Sequence, residues 1–211
     1  MATPTDFLTL TQWLSPAYPV GAFAYSHGLE SSVAEGRVSD AATLEDWLAA
    51  VLEHGTGRTD AILIALAYGS DDLPRLDAVA RALAGSRERL LETVEQGTAF
   101  GKVTSAIWGG ALPLCYPVAL GAAAAREGLP LPLTQALYLQ AMLSNLTAAA
   151  QRLMPLGQTR AQGVLRRLSA RIGPLLDGIE GAGEDDLGGS AFLPEIAAMR
   201  HETLQPRIFR T

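Results

Sequence analysis

The chain has 211 residues, with 22 acidic against 16 basic side chains and a formal net charge of −6, which argues against a nucleic-acid binder and its basic face. One cysteine, Cys115, excludes an intramolecular disulfide and a cysteine-rich zinc site. Hydrophobic residues make up 48% and charged residues 18%, ample core material for one domain; the start, Met1 to Asp6, lacks the basic and apolar runs of a secretory signal, so a reduced cytoplasmic setting is expected.

The first informative stretch runs from Leu14 to Glu30. Pro16 and Pro19 fix φ and push Ser15 and Tyr18 towards extended geometry. Gly21 lets the backbone turn. Phe23, Tyr25, Ser26, His27 and Glu30 follow at helical spacing, which predicts a helix start crowded with polar and aromatic side chains. Next, Ser39 or Asp40 can cap a helix carrying Leu44, Trp47, Leu48, Val51 and Leu52 on one face, closed by Gly55. His54 falls at its C-terminal end, where the helix dipole favours a cation. Thr59–Tyr68 is apolar nearly all round and predicts a buried helix ending at Gly69. Pro74 suits the first turn of a helix with Leu76, Val79, Ala80 and Leu83 as its stripe. Ser86 can cap a long helix whose apolar residues are Leu90, Leu91, Val94, Ala99 and Val103. Within it, Gly97 and Gly101 are weak points or places of close helix approach.

From Val103 to Ala125, and again from Gly128 to Gln151, no residue is charged. Each stretch is long enough to cross a bilayer. Both are Ala-rich and broken by Gly, Pro and polar residues, so the reading is a helical pair buried in the protein or across a subunit interface. The structure of Ala111–Tyr116 stays open. Pro117 and Pro132 can each start a helix. Gln162–Ile172 reads as another, broken or kinked at Gly173–Pro174. Gly181–Gly189 reads as a flexible acidic link, and Pro194–Glu202 as a short helix before the end of the chain. No alternating strand pattern or fixed-period repeat occurs. The expected fold is all-α: one compact multi-helix body over residues 1–180. Residues 181–211 form a flexible acidic, Gly-rich link and a mobile C-terminal tail of the same domain.

Three motifs bear on chemistry. Gly101–Thr104 is a poor phosphate loop, because Gln96 stands where a glycine is needed and Val103 where Ser or Thr is needed. Nucleotide binding by this chain is therefore rejected. Ala24–Gly28 resembles a nucleophile elbow with its first Gly replaced, and Asp185 or Asp186 and then His201 follow in the chain order Ser, Asp, His of α/β-hydrolases, the alternative being a Ser-His-Asp type hydrolase using Ser26. Its proline-broken approach lacks the strand an elbow requires. The histidines, His27, His54 and His201, are isolated in sequence. A direct metal site, for nickel or zinc, would need His27 and His201 to meet Glu30 and Glu202 in space. No catalytic, cofactor or metal site is assigned. Arg152, Arg160, Arg166, Arg167 and Arg171 contrast with Lys102, the only lysine, and suggest either a solvated face or a surface for an acidic partner.

Leu14 to Glu30, Arg152 to Thr159, and Met199 to Glu202 with Arg207 to Arg210 together resemble the signature segments of the UreF family of urease accessory proteins. The segments stand in the family's order and span nearly the whole chain. His27 departs from the family's usual Gln, and Glu195 from a common Asp. The resemblance implies an all-helical, usually dimeric chaperone without enzymatic activity. It implies assembly with the UreD (UreH) accessory protein and the GTPase UreG on apo-urease, regulation of that GTPase, and insertion of nickel. The partner-binding residues expected are Tyr25, Ser26, His27, Glu30, Arg152, Gln158, His201, Glu202, Arg207, Phe209 and Arg210; when the tail docks on the opening motif, Arg207 is expected to hydrogen-bond to Tyr25, with Phe209 buried beside them. A homodimer is expected through the uncharged middle, Trp108 to Leu146, with Leu139 and Met142 facing the partner copy.

Overall fold

A computed structural model describes residues 2–110 and 113–211. Ala111 and Leu112, in the stretch whose structure the sequence leaves open, lie outside the described residues, as does Met1. Among the described residues there are ten α-helices and no strand, as the periodicity predicts.

Local chemistry sets most helix starts. The sequence pattern gave no warning of α1 (Pro4–Trp13), yet its start is well specified. The Thr3 hydroxyl accepts from the Asp6 amide at 3.2 Å, the Asp6 carboxylate accepts from the Thr3 amide at 2.7 Å, and Pro4 fills the first turn. Asp40 caps α3 (Ala41–His54), Asp72 caps α5 (Leu73–Ala82) and Ser86 caps α6 (Arg87–Trp108). Pro117 and Pro132 sit in the first turns of α7 (Tyr116–Arg126) and α8 (Leu131–Leu153).

The helix α4 (Thr56–Gly69) lies in the middle of the core. It packs on α3, α5, α7 and α8 and buries Ala61, Ile62, Leu63, Ile64 and Ala67 around its circumference. Small residues set the spacing elsewhere. At Gly97 of α6 a methyl group would overlap the backbone of Leu114, Cys115 and Tyr116, so only glycine lets α6 lie against the segment entering α7. Beyond Gly97, an aromatic cluster fills the interior. Trp13 meets Phe100 edge-on at 5.5 Å and Trp108 at 5.4 Å, and Tyr116 lies 5.6 Å from both Phe100 and Tyr138.

Four expectations are corrected. Phe23 to Glu30 is not one helix: a 3-10 turn at Ala22–Ala24 is followed by His27 and Gly28 at positive φ, and α2 (Leu29–Ala34) begins only at Leu29. The helix α9 (Gln158–Gly178) is not broken at Gly173–Pro174 but continues through it; this part of the helix is exposed, so the carbonyl freed at Ala170 reaches water. Leu139 is fully buried against the core of its own chain and cannot face a second copy, whereas Met142 is only partly buried. On α6 the buried face is Glu88, Glu92, Gln96, Phe100 and Thr104, while Leu91 is exposed. No helix among the described residues is long and apolar enough to cross a membrane.

The link and tail also differ from the flexible segment the glycines suggest. Glu184–Asp186 forms a 3-10 turn. Arg75 pairs with Glu184, and Arg58 donates to the Asp186 carbonyl at 2.7 Å. The Ser190 and Ala191 amides donate to the carbonyl of His54, at the end of α3, and α10 (Phe192–His201) then packs on α2, α3 and α6. The tail is docked, with Phe209 and Thr211 buried. Glycine content signals backbone freedom; these side-chain anchors are distant in sequence and outweigh it.

Candidate partner-binding site

Three sequence-distant segments meet at one place: the turn from Ala22 to Gly28, the first half of α6, and the tail after α10. Gly28 makes the junction possible. Its φ is +81°, and a methyl group there would overlap the backbone of Ala197 and Ala198, so α10 can rest on the start of α2 only above a glycine. The tail then runs beside the turn. The Arg210 amide donates to the Ala24 carbonyl at 2.8 Å, and the Ser26 amide to the Thr211 carbonyl at 2.9 Å.

The side chains follow from this path. Buried Tyr25 donates its hydroxyl to Glu95 at 2.6 Å. Burial, reinforced by Glu95, pushes that phenol up from its ordinary value. Arg210 reaches the same hydroxyl at 3.3 Å, lies over the Tyr25 ring at 5.6 Å, and pairs with Glu95 at 2.7 Å. Arg207, the arginine expected on Tyr25, pairs instead with Glu88. The correction has a geometric cause, since the main-chain bonds carry Arg210 past Tyr25 while Arg207 is still beside α6. Phe209 is buried under the guanidinium of Arg152, 4.3 Å from the ring centre. Arg152 also donates to the Phe23 carbonyl, and Asn145 to the Ala22 carbonyl, each at 2.8 Å, so α8 holds the turn from the other side.

Ser26 is fully buried and its hydroxyl donates to the Thr211 carbonyl. Glu30 accepts from the Ile208 amide at 2.6 Å and the Phe209 amide at 2.8 Å. His201 is fully buried, with its ring nitrogens on Glu88 and Glu30. Glu202 accepts from the Arg87 amide at 2.8 Å, at the start of α6. Gln158 stands apart: it is exposed at the start of α9, with no side-chain hydrogen bond among the described residues.

The hydrolase constellation does not assemble. Both nitrogens of His201 are engaged by carboxylates, Ser26 bonds the tail, and Asp186 accepts from the Gly183 amide at 2.9 Å. Nor do the two histidines pool as a metal pair. His27 is engaged elsewhere, 2.9 Å from Glu92 and 2.9 Å from Arg89. Two arginines of the run form exposed ion pairs within the chain, Arg167 with Glu45 and Arg171 with Glu53.

The sequence reading missed the acidic side of the site. Glu88, Glu92 and Glu95 come from α6, and their i, i+4, i+7 spacing was the available signal. Behind them lies a second buried cluster. Arg89 pairs with Glu92, and Tyr138 donates to Asp60 at 2.6 Å. Burial alone would raise the Glu92 carboxyl, but the Arg89 guanidinium and the His27 ring reverse this and hold it at about 2. Asp60 goes the other way, pushed up by burial against the weaker pull of Arg89 and Tyr138. A cavity of about 600 Å³, walled by Trp13, Tyr18, Tyr138 and Asn145 among others, reaches His27, Asp60 and Arg89.

With this geometry in hand, sequence relationships give the family. Residues 38–169 match the UreF family model. The chain belongs to the UreF family. Its relatives cover the turn and the tail as well. It is 52% identical over 208 residues to the urease accessory protein UreF of Roseobacter denitrificans, spanning 97% of this chain and 94% of that one. With the protein of the same name from Ruegeria pomeroyi it shares 49% over 217 residues, spanning all of both. The counterpart from Cereibacter sphaeroides is 52% identical over 205 residues, spanning 97% of this chain and 98% of the other. A UreF family member is an accessory protein and not an enzyme, in keeping with the way Ser26 and His201 are engaged.

Proposed function

We propose that this chain acts in urease maturation as an adaptor. It assembles with the UreD (UreH) protein and the GTPase UreG on apo-urease, regulates the GTPase and promotes insertion of nickel, which is the cargo of the complex. GTP is held by the GTPase partner, and the setting is cytoplasmic. Family membership supports the role. The observation that carries the surface assignment is the docking of the tail on the Ala22–Gly28 turn, which gathers segments distant in sequence into one platform. Its exposed elements are Phe23, Arg152, Arg207, Ile208 and Arg210. Tyr25, Ser26, Glu30, His201 and Phe209 lie beneath and shape it.

The test is co-purification of the chain with UreD and UreG, followed by urease activation with and without it. Arg210→Ala is the informative variant, because Arg210 is exposed and its loss spares the core. It should weaken UreD capture with little change in melting. Unchanged capture and normal activation would reject the platform. The homodimer is proposed through the accessible side of α8, where Met142 is partly buried and Ser144 exposed. Met142→Glu should yield monomers by light scattering, and a clean dimer would reject that face.

A further inference from the structure

The centre of the junction is a closed set of charges. Glu30 comes from α2, Glu88 from α6, His201 from α10 and Arg207 from the tail. His201 Nδ1 lies 2.7 Å from Glu88 Oε2 and Nε2 lies 3.0 Å from Glu30 Oε2. Its side chain is 0% exposed, and those of Glu30 and Glu88 are 7% and 8% exposed. The other oxygen of Glu88 takes Arg207. Both oxygens of Glu30 are further used by the Ile208 and Phe209 amides.

A neutral imidazole has one N–H and one bare nitrogen. Here that bare nitrogen would face a buried carboxylate oxygen, lone pair against lone pair. Two carboxylates against Arg207 alone would also leave an uncompensated negative charge in the interior, which protein interiors resist. We infer that His201 is held as an imidazolium that donates to both carboxylates, and that this charge positions the tail. The imidazolium orients Glu30, and Glu30 in turn captures the two tail amides. His201 is thus a positioning residue for the tail, acting from beneath the surface and touching no partner itself. The sum over the four groups is zero, so the balance among them, more than any one contact, fixes the register of Ile208 and Phe209.

Nitrogen NMR of the full chain at neutral pH reads the charge directly. Two protonated ring nitrogens on His201 are expected; one bare nitrogen would overturn the assignment, and this measurement needs no variant to fold. Hydrogen exchange reads the consequence. His201→Gln removes the cation and should speed exchange at Ile208 and Phe209 by about tenfold, the scale of a lost charge-assisted bond, with α4 and α8 amides unchanged. Adding Glu88→Gln to that variant removes one carboxylate, restores neutrality and should slow exchange again. Unaltered exchange in the single variant, or no recovery in the double, would overturn the inference.

Discussion

The two halves of α6 bury different kinds of side chain. Before Gly97 the buried face is Glu88, Glu92 and Gln96; after it come Phe100 and Thr104, beside Trp13 and Tyr116. The same helix therefore joins a region held by matched charges to one held by shape. Polarity alone does not decide what is inside. Carboxylates are buried here because each has a cation or donors from another segment, and removing one member leaves the others uncompensated. In the aromatic half, no single contact dominates, and the limit is space.

The sharpest way to break the second half is to fill that space. Gly97→Ala places a methyl group into the backbone before α7, which cannot rotate away as a side chain could. A loss of about 3 kcal/mol or more is expected in urea unfolding. A melting curve like that of the parent would show that α6 and α7 are not in such close contact.

The charged half is tested by acid. Glu92 has a folded-state value of about 2 against an ordinary 4.5. Its stabilisation is therefore present above about pH 4.5 and is lost as pH falls from there towards 2. The difference corresponds to about 3 kcal/mol. Asp60 is raised and has the opposite sign: its contribution is present below its ordinary value of 3.8 and fades as pH climbs through its folded value. In Glu92→Gln the acid limb of a stability–pH curve should flatten. An unaltered limb would place the acid sensitivity elsewhere.

These contrasts explain what was legible in the sequence. Asp40, Ser86, Pro117 and Pro132 mark helix starts because capping is decided within a few residues. The all-helical class followed from periodicity, which is likewise local. The stripe of Glu88, Glu92 and Glu95 looks like a solvated face, since nothing near it in sequence announces Arg207, Arg210 or His27 as partners. The polar-aromatic turn and the tail could each be picked out in the sequence as short segments near the two ends of the chain. Which arginine meets Tyr25 could not, because that depends on the path of the tail. The continuation of α9 through Pro174 depends on exposure, which a dipeptide does not reveal.

Smaller effects sharpen the same contrast. Tyr138 donates to Asp60 at the boundary between the two regions. Tyr138→Phe leaves that buried carboxyl without its nearest donor and should cost about 2 kcal/mol in urea unfolding. No change would mean that another group satisfies Asp60. At the low end stands Arg171, whose pair with Glu53 is solvent-exposed at 3.3 Å. Arg171→Ala should shift stability by no more than about 0.5 kcal/mol. A larger loss would place this surface pair on a par with the buried ones.

Lys102, exposed on α6 beyond Gly97, has a practical consequence for mapping any assembly. Amine-directed cross-linkers will find one side chain on this molecule, on the aromatic half of α6. A partner seated on the tail platform would leave no lysine link to that platform however tightly it sat, so silence from such reagents carries no information there. Reagents directed at guanidinium groups would address Arg152, Arg207 and Arg210 instead. Their protection or exposure would report on the surface in question.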